Sequence, residues 1–373
     1  MKTIVKPEPP PTLIDLFGRA DKESAAEETH AMLTSMGRTA YIVGLRSLGL
    51  SSGAKILLPA LCCKALVTAT ETVGAIPVFY DVRDDLSPDL EELEEKADNA
   101  SALVIIHYFG FPQRMEELLD FCSRTNILMI EDCAHALYSR LEDRSLGSFG
   151  TFSFFSIRKF LPVPCGGMLV FNDVDNLPLD NLPRSWRYEI LSTARHLLRY
   201  AENRIQFSPR TALLKWEGLR RTVARSDAEA SPKLIASARL SQKVFFNSEA
   251  HAIVARRRRN FQFLLDTTED LAPHNLLHSW LEEGVNPMGF PLITRNRSTF
   301  IKQMLREKII ARPVWPELPE GVDESAYPIA SGMGRRLLYV PIHQDLKQTE
   351  LIHIGNVLRK CLENDADEEI FDS

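Results

Sequence analysis

Two residues in this chain can share one piece of chemistry. Lys159 lies in FSFFSIRKFLPVPCGGMLV (Phe152–Val170), after an aromatic, β-rich run and before Gly166-Gly167. Asp132 lies 27 residues upstream, where the apolar run Ile127–Ile130 ends in Glu131-Asp132. A carboxylate ending one strand and a lysine following another can face each other across a pocket. Such a pair suits pyridoxal phosphate (PLP), with the lysine forming a Schiff base and the carboxylate partnering the pyridinium nitrogen. Taken singly, each residue has a plainer role. A lone lysine is usually a solvated surface charge, and an aspartate at a strand-to-helix junction commonly caps the helix, here one beginning near Cys133. The elements around the two residues must therefore carry the argument.

Those elements alternate. Lys55–Pro59, Ile76–Tyr80, Leu103–His107 and Ile127–Ile130 read as short apolar strands. Cys62–Val73, Asp89–Lys96 and Arg114–Arg124 read as the helices between them. Strands alternating with helices predict βαβ units, and near-continuous apolar strands predict a parallel sheet covered on both faces. Thr151–Phe155 and Gly167–Phe171 bracket Lys159 as two further strands. The stretch from about Ser24 to Leu50 reads mostly as helix, and residues 1–12 as a Pro-rich arm. From about Arg184 to Leu265 the pattern is helical and rich in arginine. Gly289–Ile293 and Leu337–Val340 predict strands of a smaller α+β unit, with a helix at Ser298–Lys308, a Pro-rich loop at Pro313–Pro328 and a closing helix at Gln348–Leu362.

Bulk properties narrow the class. The chain has 373 residues, enough for a large domain and a smaller one, and 45% hydrophobic with 25% charged residues is ordinary for a globular protein. A net charge of -6 supplies no basic field for nucleic acid. The longest apolar runs are too short to span a bilayer, and the N-terminus has no apolar core of a secretory signal. Six cysteines without a C-x-x-C spacing predict neither zinc nor a disulfide framework; reduced thiols in a cytoplasmic protein fit better. No metal site is expected.

The order of GRTA…GL (Gly37–Leu45), PALCC (Pro59–Cys63), GAIPVFYDV (Gly74–Val82), HYFGFP (His107–Pro112), EDCAHA (Glu131–Ala136) and SLGSFGTFSFF…Lys159…Gly-Gly resembles the DegT/DnrJ/EryC1/StrS family. The likeness runs through most of residues 35–172. It continues more weakly through RLSQ (Arg239–Gln242), RRRRNF (Arg256–Phe261) and VPIHQDL (Val340–Leu346). The resemblance implies the α/β fold of PLP-dependent transferases, fold type I, like aspartate aminotransferase. A large domain (1–245, with the arm) would hold a mainly parallel seven-stranded sheet between helices, and a smaller C-terminal α+β domain (246–373) would follow. It also implies a homodimer with its active site at the subunit interface.

Family positions carry over residue by residue. Lys159 would hold PLP and shuttle protons, and Asp132 would keep the pyridine nitrogen protonated. His135 stands where the family usually has a glutamine near the ring's phenolic oxygen; a satisfied core histidine is the alternative. Arg38 and Thr39 open a helical run at a place suited to phosphate, with Arg38 replacing the family's glycine; an ordinary helix start is the alternative. Ser156 and Ser153 flank the family's usual spacing for a phosphate-binding serine, so both are kept. Cys63 stands where an aromatic residue usually meets the ring. His343 and Arg239 are candidates for substrate contact, although the asparagine that accompanies the arginine in the family is replaced by Ser237. His107 could reach the pocket wall, but core packing or a strand-end hydrogen bond fits it better. The arginine run 256–259 points all round its helix and reads as a solvated or salt-bridged helix, with Arg257 or Arg258 as the choice for a diphosphate clamp.

The loop after Lys159 is apolar where the family is polar, which suggests a different substrate edge. Three functions follow. The leading one is an aminotransferase moving an amino group from a donor, typically glutamate, to a keto substrate such as a nucleotide-activated keto-sugar. The second keeps PLP but performs lyase, decarboxylase or condensing chemistry. The third is a non-catalytic regulator, against which the retention of Lys159 and Asp132 argues. Lys159 also argues against the family's dehydratase branch, which has histidine there.

Overall fold

The computed structural model describes residues 4–11, 31–50, 52–172, 182–204, 234–271 and 275–367. Its centre is a seven-stranded sheet. The strands are β1 (Ala31–Thr34), β2 (Lys55–Pro59), β3 (Ile76–Tyr80), β4 (Ala100–Ile106), β5 (Leu128–Cys133), β8 (Phe152–Ser156) and β9 (Gly167–Phe171). A two-stranded hairpin, β6 (Arg140–Leu141) and β7 (Arg144–Ser145), stands apart. The large sheet runs β1-β9-β8-β5-β4-β2-β3, parallel except where β9 pairs antiparallel with both neighbours.

Alternate side chains of these strands serve opposite faces. Ile56, Leu58, Val104 and Ile130 join one buried cluster, and Leu57, Leu103, Ile105 and Met129 the other. That two-sided burial explains the continuous apolar strands. Helices α1 (Gly37–Ser47), α2 (Lys64–Thr72), α3 (Leu90–Lys96) and α4 (Met115–Thr125) connect the strands. Asp89 caps α3 by accepting the Glu91 N–H at 3.1 Å, and α4 stops at Asn126, whose φ of 55° is the left-handed cap.

Beyond β9 come α5 (Trp186–Arg204), α6 (Arg239–Phe246) and α7 (Ala250–Thr268). A second, antiparallel sheet has the order β10-β12-β11, from β10 (Phe290–Ile293), β11 (Arg312–Pro313) and β12 (Leu337–Val340). Helices α8 (Arg297–Arg306), α9 (Pro328–Arg336) and α10 (Gln348–Asp367) complete it, with α10 packed on α7 and α8. The proline-rich N-terminal arm is seated on this part of the chain. Val5 bridges Ile309, its N–H donating to Lys308 O at 2.8 Å while Ile310 N–H donates back to Val5 O at 3.0 Å. Among the described residues, no helix is long and apolar enough to cross a membrane.

Three elements differ from the sequence expectation. Ala31–Thr34, expected within a helix, is strand β1. Ala31, Met32 and Leu33 are good helix formers, but pairing along the free edge of β9 overrides that weak preference. Pro328–Arg336 is helical where the proline-rich loop was expected to end; Pro328 takes the first helical position, which needs no N–H. No helix begins at Cys133: β5 continues to that residue and a turn follows.

Candidate active site

Asp132 and Lys159 both sit at the carboxyl edge of the large sheet. Asp132 is next to last in β5, and Lys159 ends the 3-10 turn Ile157–Lys159 that leaves β8 directly beside it. This edge is where open α/β sheets bind ligands. With no helix to cap, the Asp132 carboxylate makes only a local bond, Oδ1 accepting the Ala134 N–H at 2.8 Å. Its Oδ2 has no hydrogen bond among the described residues, which suits a pyridinium N–H. The two groups feel each other electrostatically. Burial pulls the Lys159 ammonium down to about 8, and the Asp132 carboxylate opposes the shift. Burial raises the Asp132 carboxyl to about 6, with Lys159 opposing. An amine with that value is partly neutral near physiological pH, as a proton shuttle requires.

The start of α1 lies against the same edge. Met36 at its N-cap offers no side-chain hydrogen bond, and its carbonyl accepts the Thr39 and Ala40 N–H groups at 3.0 and 3.2 Å; the dipole of a helix start favours an anion. Gly167 makes this approach possible: a Cβ there would stand 2.3 Å from the Met36 carbonyl carbon and 2.5 Å from the Gly37 nitrogen. Arg38 is in the first turn of α1, and Thr39 is buried, its hydroxyl 3.2 Å from that of Ser35. The two serines lie on opposite faces of β8. Ser156 Cβ is 3.8 Å from where a Cβ on Gly37 would be, at the helix start, whereas Ser153 Oγ points toward Gly147 and has no hydrogen-bond partner among the described residues.

A cavity of about 160 Å³ opens beside Lys159. His135 lines it, buried, with burial and then Lys159 holding the imidazole well below its ordinary value. Its Nδ1 accepts the Phe109 N–H at 3.4 Å, so a neutral ring carries its proton on Nε2. Trp315 stacks on it, centroids 5.4 Å apart and planes 14° apart. The Trp315 backbone has a φ of 40°, unusual for a bulky residue and the kind of strain found at functional sites. Cys63 stands at the N-cap of α2, close enough to affect Lys159 electrostatically.

Other candidates fall elsewhere. His343 is buried but does not line the cavity; burial and then Arg257 press its imidazole to about 3. Arg239 is exposed at the start of α6, its N–H donating to Glu189 at 2.9 Å. His107 makes the strand-end bond, Nε2 to Glu131 Oε2 at 2.9 Å. His107, Glu131 and Cys133 cluster closely, but the Glu131 oxygens also accept the N–H groups of Gly147, Phe149 and Gly150. That carboxylate ties the loop before β8 to β5.

The arginine run is neither solvated nor salt-bridged throughout. Arg257 is fully buried, with Nε on Gln344 at 2.9 Å and Nη1 on the carbonyls of Pro287 and Met288 at 3.1 and 3.0 Å. Arg258 likewise donates to the carbonyls of Glu282 and Val285. Neither is arranged as a diphosphate clamp. The loop after Lys159 is no substrate edge either: Phe160, Leu161, Val163 and Cys165 are buried in the core. Its apolar character is packing.

Sequence reasoning missed Glu8, Arg158, Arg312, Trp315 and Tyr339, all of which line the cavity. Only Arg158 had a visible signal, its place next to Lys159. The others come from the arm, the second sheet and the loop after β11, which the fold brings in from both ends of the chain.

The fold is the one seen in several solved sugar aminotransferases. A putative sugar aminotransferase from Streptococcus pneumoniae, solved in its PLP form, superposes with a TM-score of 0.71 at 16% identity, covering 97% of this chain and 99% of that one. A DegT DnrJ EryC1 StrS aminotransferase from Brucella abortus gives 0.63 at 18% identity, covering 90% and 87%. The model of the DegT/DnrJ/EryC1/StrS aminotransferase family matches residues 19–177. A GDP-perosamine synthase from Escherichia coli O157:H7 is 35% identical over 156 residues, 40% of this chain and 43% of that protein. The chain thus matches less than half the length of that relative. A dTDP-4-dehydro-2,3,6-trideoxy-D-glucose 4-aminotransferase from Saccharopolyspora spinosa is 26% identical over 88% of this chain and 83% of its own length.

Proposed function

We propose that this chain is a PLP-dependent aminotransferase that moves an amino group from an amino acid, glutamate first among candidates, to a nucleotide-linked keto-sugar. The observation that carries the reading is the Lys159–Asp132 pair at the carboxyl edge of the sheet. The acceptor class rests on relatives whose names describe nucleotide-sugar chemistry. When bound, PLP supplies the electron sink that lets a proton leave the carbon bearing the amine. Lys159 would take and return that proton. Asp132 Oδ2 would accept the pyridinium N–H, while His135 would stand at the ring oxygen and Cys63 against the ring face. The start of α1, with Arg38 and Thr39, would hold the phosphate together with Ser156. Residues 1–245 would form the cofactor-binding domain and 246–373 the smaller one, in a homodimer whose sites lie at the interface.

The test is visible absorption of the purified protein with PLP. A band that needs Lys159 and bleaches on adding glutamate supports the reading; no band sinks it. The serines make a second prediction. Losing a hydrogen bond to a charged group costs about 1.5–3 kcal/mol, so Ser156→Ala should weaken PLP binding about tenfold or more. Ser153→Ala should leave it unchanged, because that hydroxyl faces Gly147 on the other side of β8. Titrating PLP into each variant and following the band distinguishes them; equal loss in both would refute the phosphate role for Ser156.

A further inference from the structure

The cavity beside Lys159 has a charged wall. Two guanidinium groups, Arg158 and Arg312, line it together with one carboxylate, Glu8, from the N-terminal arm. Glu8 is ion-paired with Arg312, and the Tyr339 hydroxyl is within reach of the same guanidinium. Arg158 is exposed to the cavity and makes no hydrogen bond or ion pair with a protein group among the described residues. Its charge is nevertheless felt by Glu8: burial would raise that carboxyl, but Arg312, Arg199 and Arg158 together hold it below its usual range. The arm is fixed in this position. Val5 is hydrogen-bonded in both directions to the 308–310 segment, and Pro7 and Pro9 on either side of Glu8 are buried. Prolines also limit the other conformations open to the segment. Glu8 is therefore a standing part of the wall.

We propose that Glu8 is a specificity-determining residue: it occupies Arg312 and leaves Arg158 to take a single carboxylate of the amino donor beside Lys159. The assignment of the ligand to the donor rests on the aminotransferase reading; the binding site itself does not. Two arginines without Glu8 would make a strongly cationic pocket suited to doubly charged groups such as phosphates. With Glu8 present, one unpaired guanidinium remains, and one carboxylate satisfies it through paired hydrogen bonds. The competing source of anionic oxygen is the diphosphate of a nucleotide-linked acceptor.

Calorimetric titration of the PLP-loaded protein with maleate and, separately, with uridine diphosphate tests this without turnover. Arg158→Gln should weaken maleate binding about tenfold, since one charge-assisted contact is lost. Glu8→Gln should strengthen maleate binding several-fold, because a repelling carboxylate is gone. A gain of affinity cannot come from misfolding, and Arg158 is exposed, so its replacement leaves the core untouched. Unchanged maleate affinity in Arg158→Gln, or weaker binding in Glu8→Gln, overturns the proposal. So does an Arg158→Gln loss confined to uridine diphosphate, which would assign the subsite to the acceptor. A protein that passes these titrations yet does not bleach with glutamate would fail only as an aminotransferase.

Discussion

Lys159→Ala is expected to lose transamination by about 10^4-fold or more, the upper range for removing a general acid–base group, and to lose its visible band with it. The loss follows from position as well as chemistry. Among the described residues, Lys159 is the only lysine lining the cavity, and the neighbouring Arg158 cannot substitute, because a guanidinium does not give up its proton near neutral pH. The pH dependence has a definite sign. Burial has lowered Lys159 to about 8, so its neutral, nucleophilic fraction grows as pH rises toward 8 and levels off above. The initial rate of PLP capture should follow that curve. Asp132→Asn gives the companion result. The carboxylate is what holds the Lys159 value up against burial, so its removal should move the capture midpoint below about 8. It should also cut turnover about 10^3-fold, the scale for losing a preorganised charge at a reacting centre. The asparagine side-chain oxygen can still accept the Ala134 N–H, so the turn survives. A midpoint that stays put or rises in Asp132→Asn would show that the two groups do not share one pocket electrostatically.

What the sequence reveals of this fold is what local pattern can encode. The strands β2, β3, β4, β5, β8 and β9 are apolar runs within the sheet, and each is readable by itself. Strand β1 is not, because the helix-favouring Ala31, Met32 and Leu33 become a strand only through the edge of β9, more than a hundred residues away in the chain. Lys159 and Asp132 are legible because neighbouring strands must bring their carboxyl ends together. Glu8 and Arg312 are 304 residues apart, and neither the arm's prolines nor the short β11 hints that they meet. The apolar loop after Lys159 misleads for the opposite reason. Hydrophobicity there suits a substrate edge and a core equally, and only the packing shows that Phe160 and Val163 are interior. The arginine run fails similarly: four cations in sequence suggest solvent, yet the helix turns one of them fully inward.

That inward residue is expected to have the largest effect on stability. Arg257 holds the Pro287 and Met288 carbonyls, lies 4.8 Å from the Phe160 ring as a cation–π contact, and fixes Gln344. Gln344 in turn donates to the Phe160 carbonyl at 2.9 Å, one residue from Lys159. Burial lowers the Arg257 guanidinium to about 10, which still leaves it charged at neutral pH. Arg257→Ala would remove all of these bonds, strand several buried carbonyls and open a void. A loss of about 3–5 kcal/mol is expected from urea unfolding, the range for breaking a buried, hydrogen-bonded charge. Arg257→Met separates the two contributions. It fills the space without the bonds, and its cost should be smaller, because a buried charge replaced by an apolar group of similar volume is often tolerated. Both variants release Gln344, so both should weaken PLP capture by Lys159, whereas a purely structural void would weaken it only in the alanine variant. If Arg257→Met captures PLP as the unaltered protein does, the chain from Arg257 through Gln344 to Phe160 does not position the lysine.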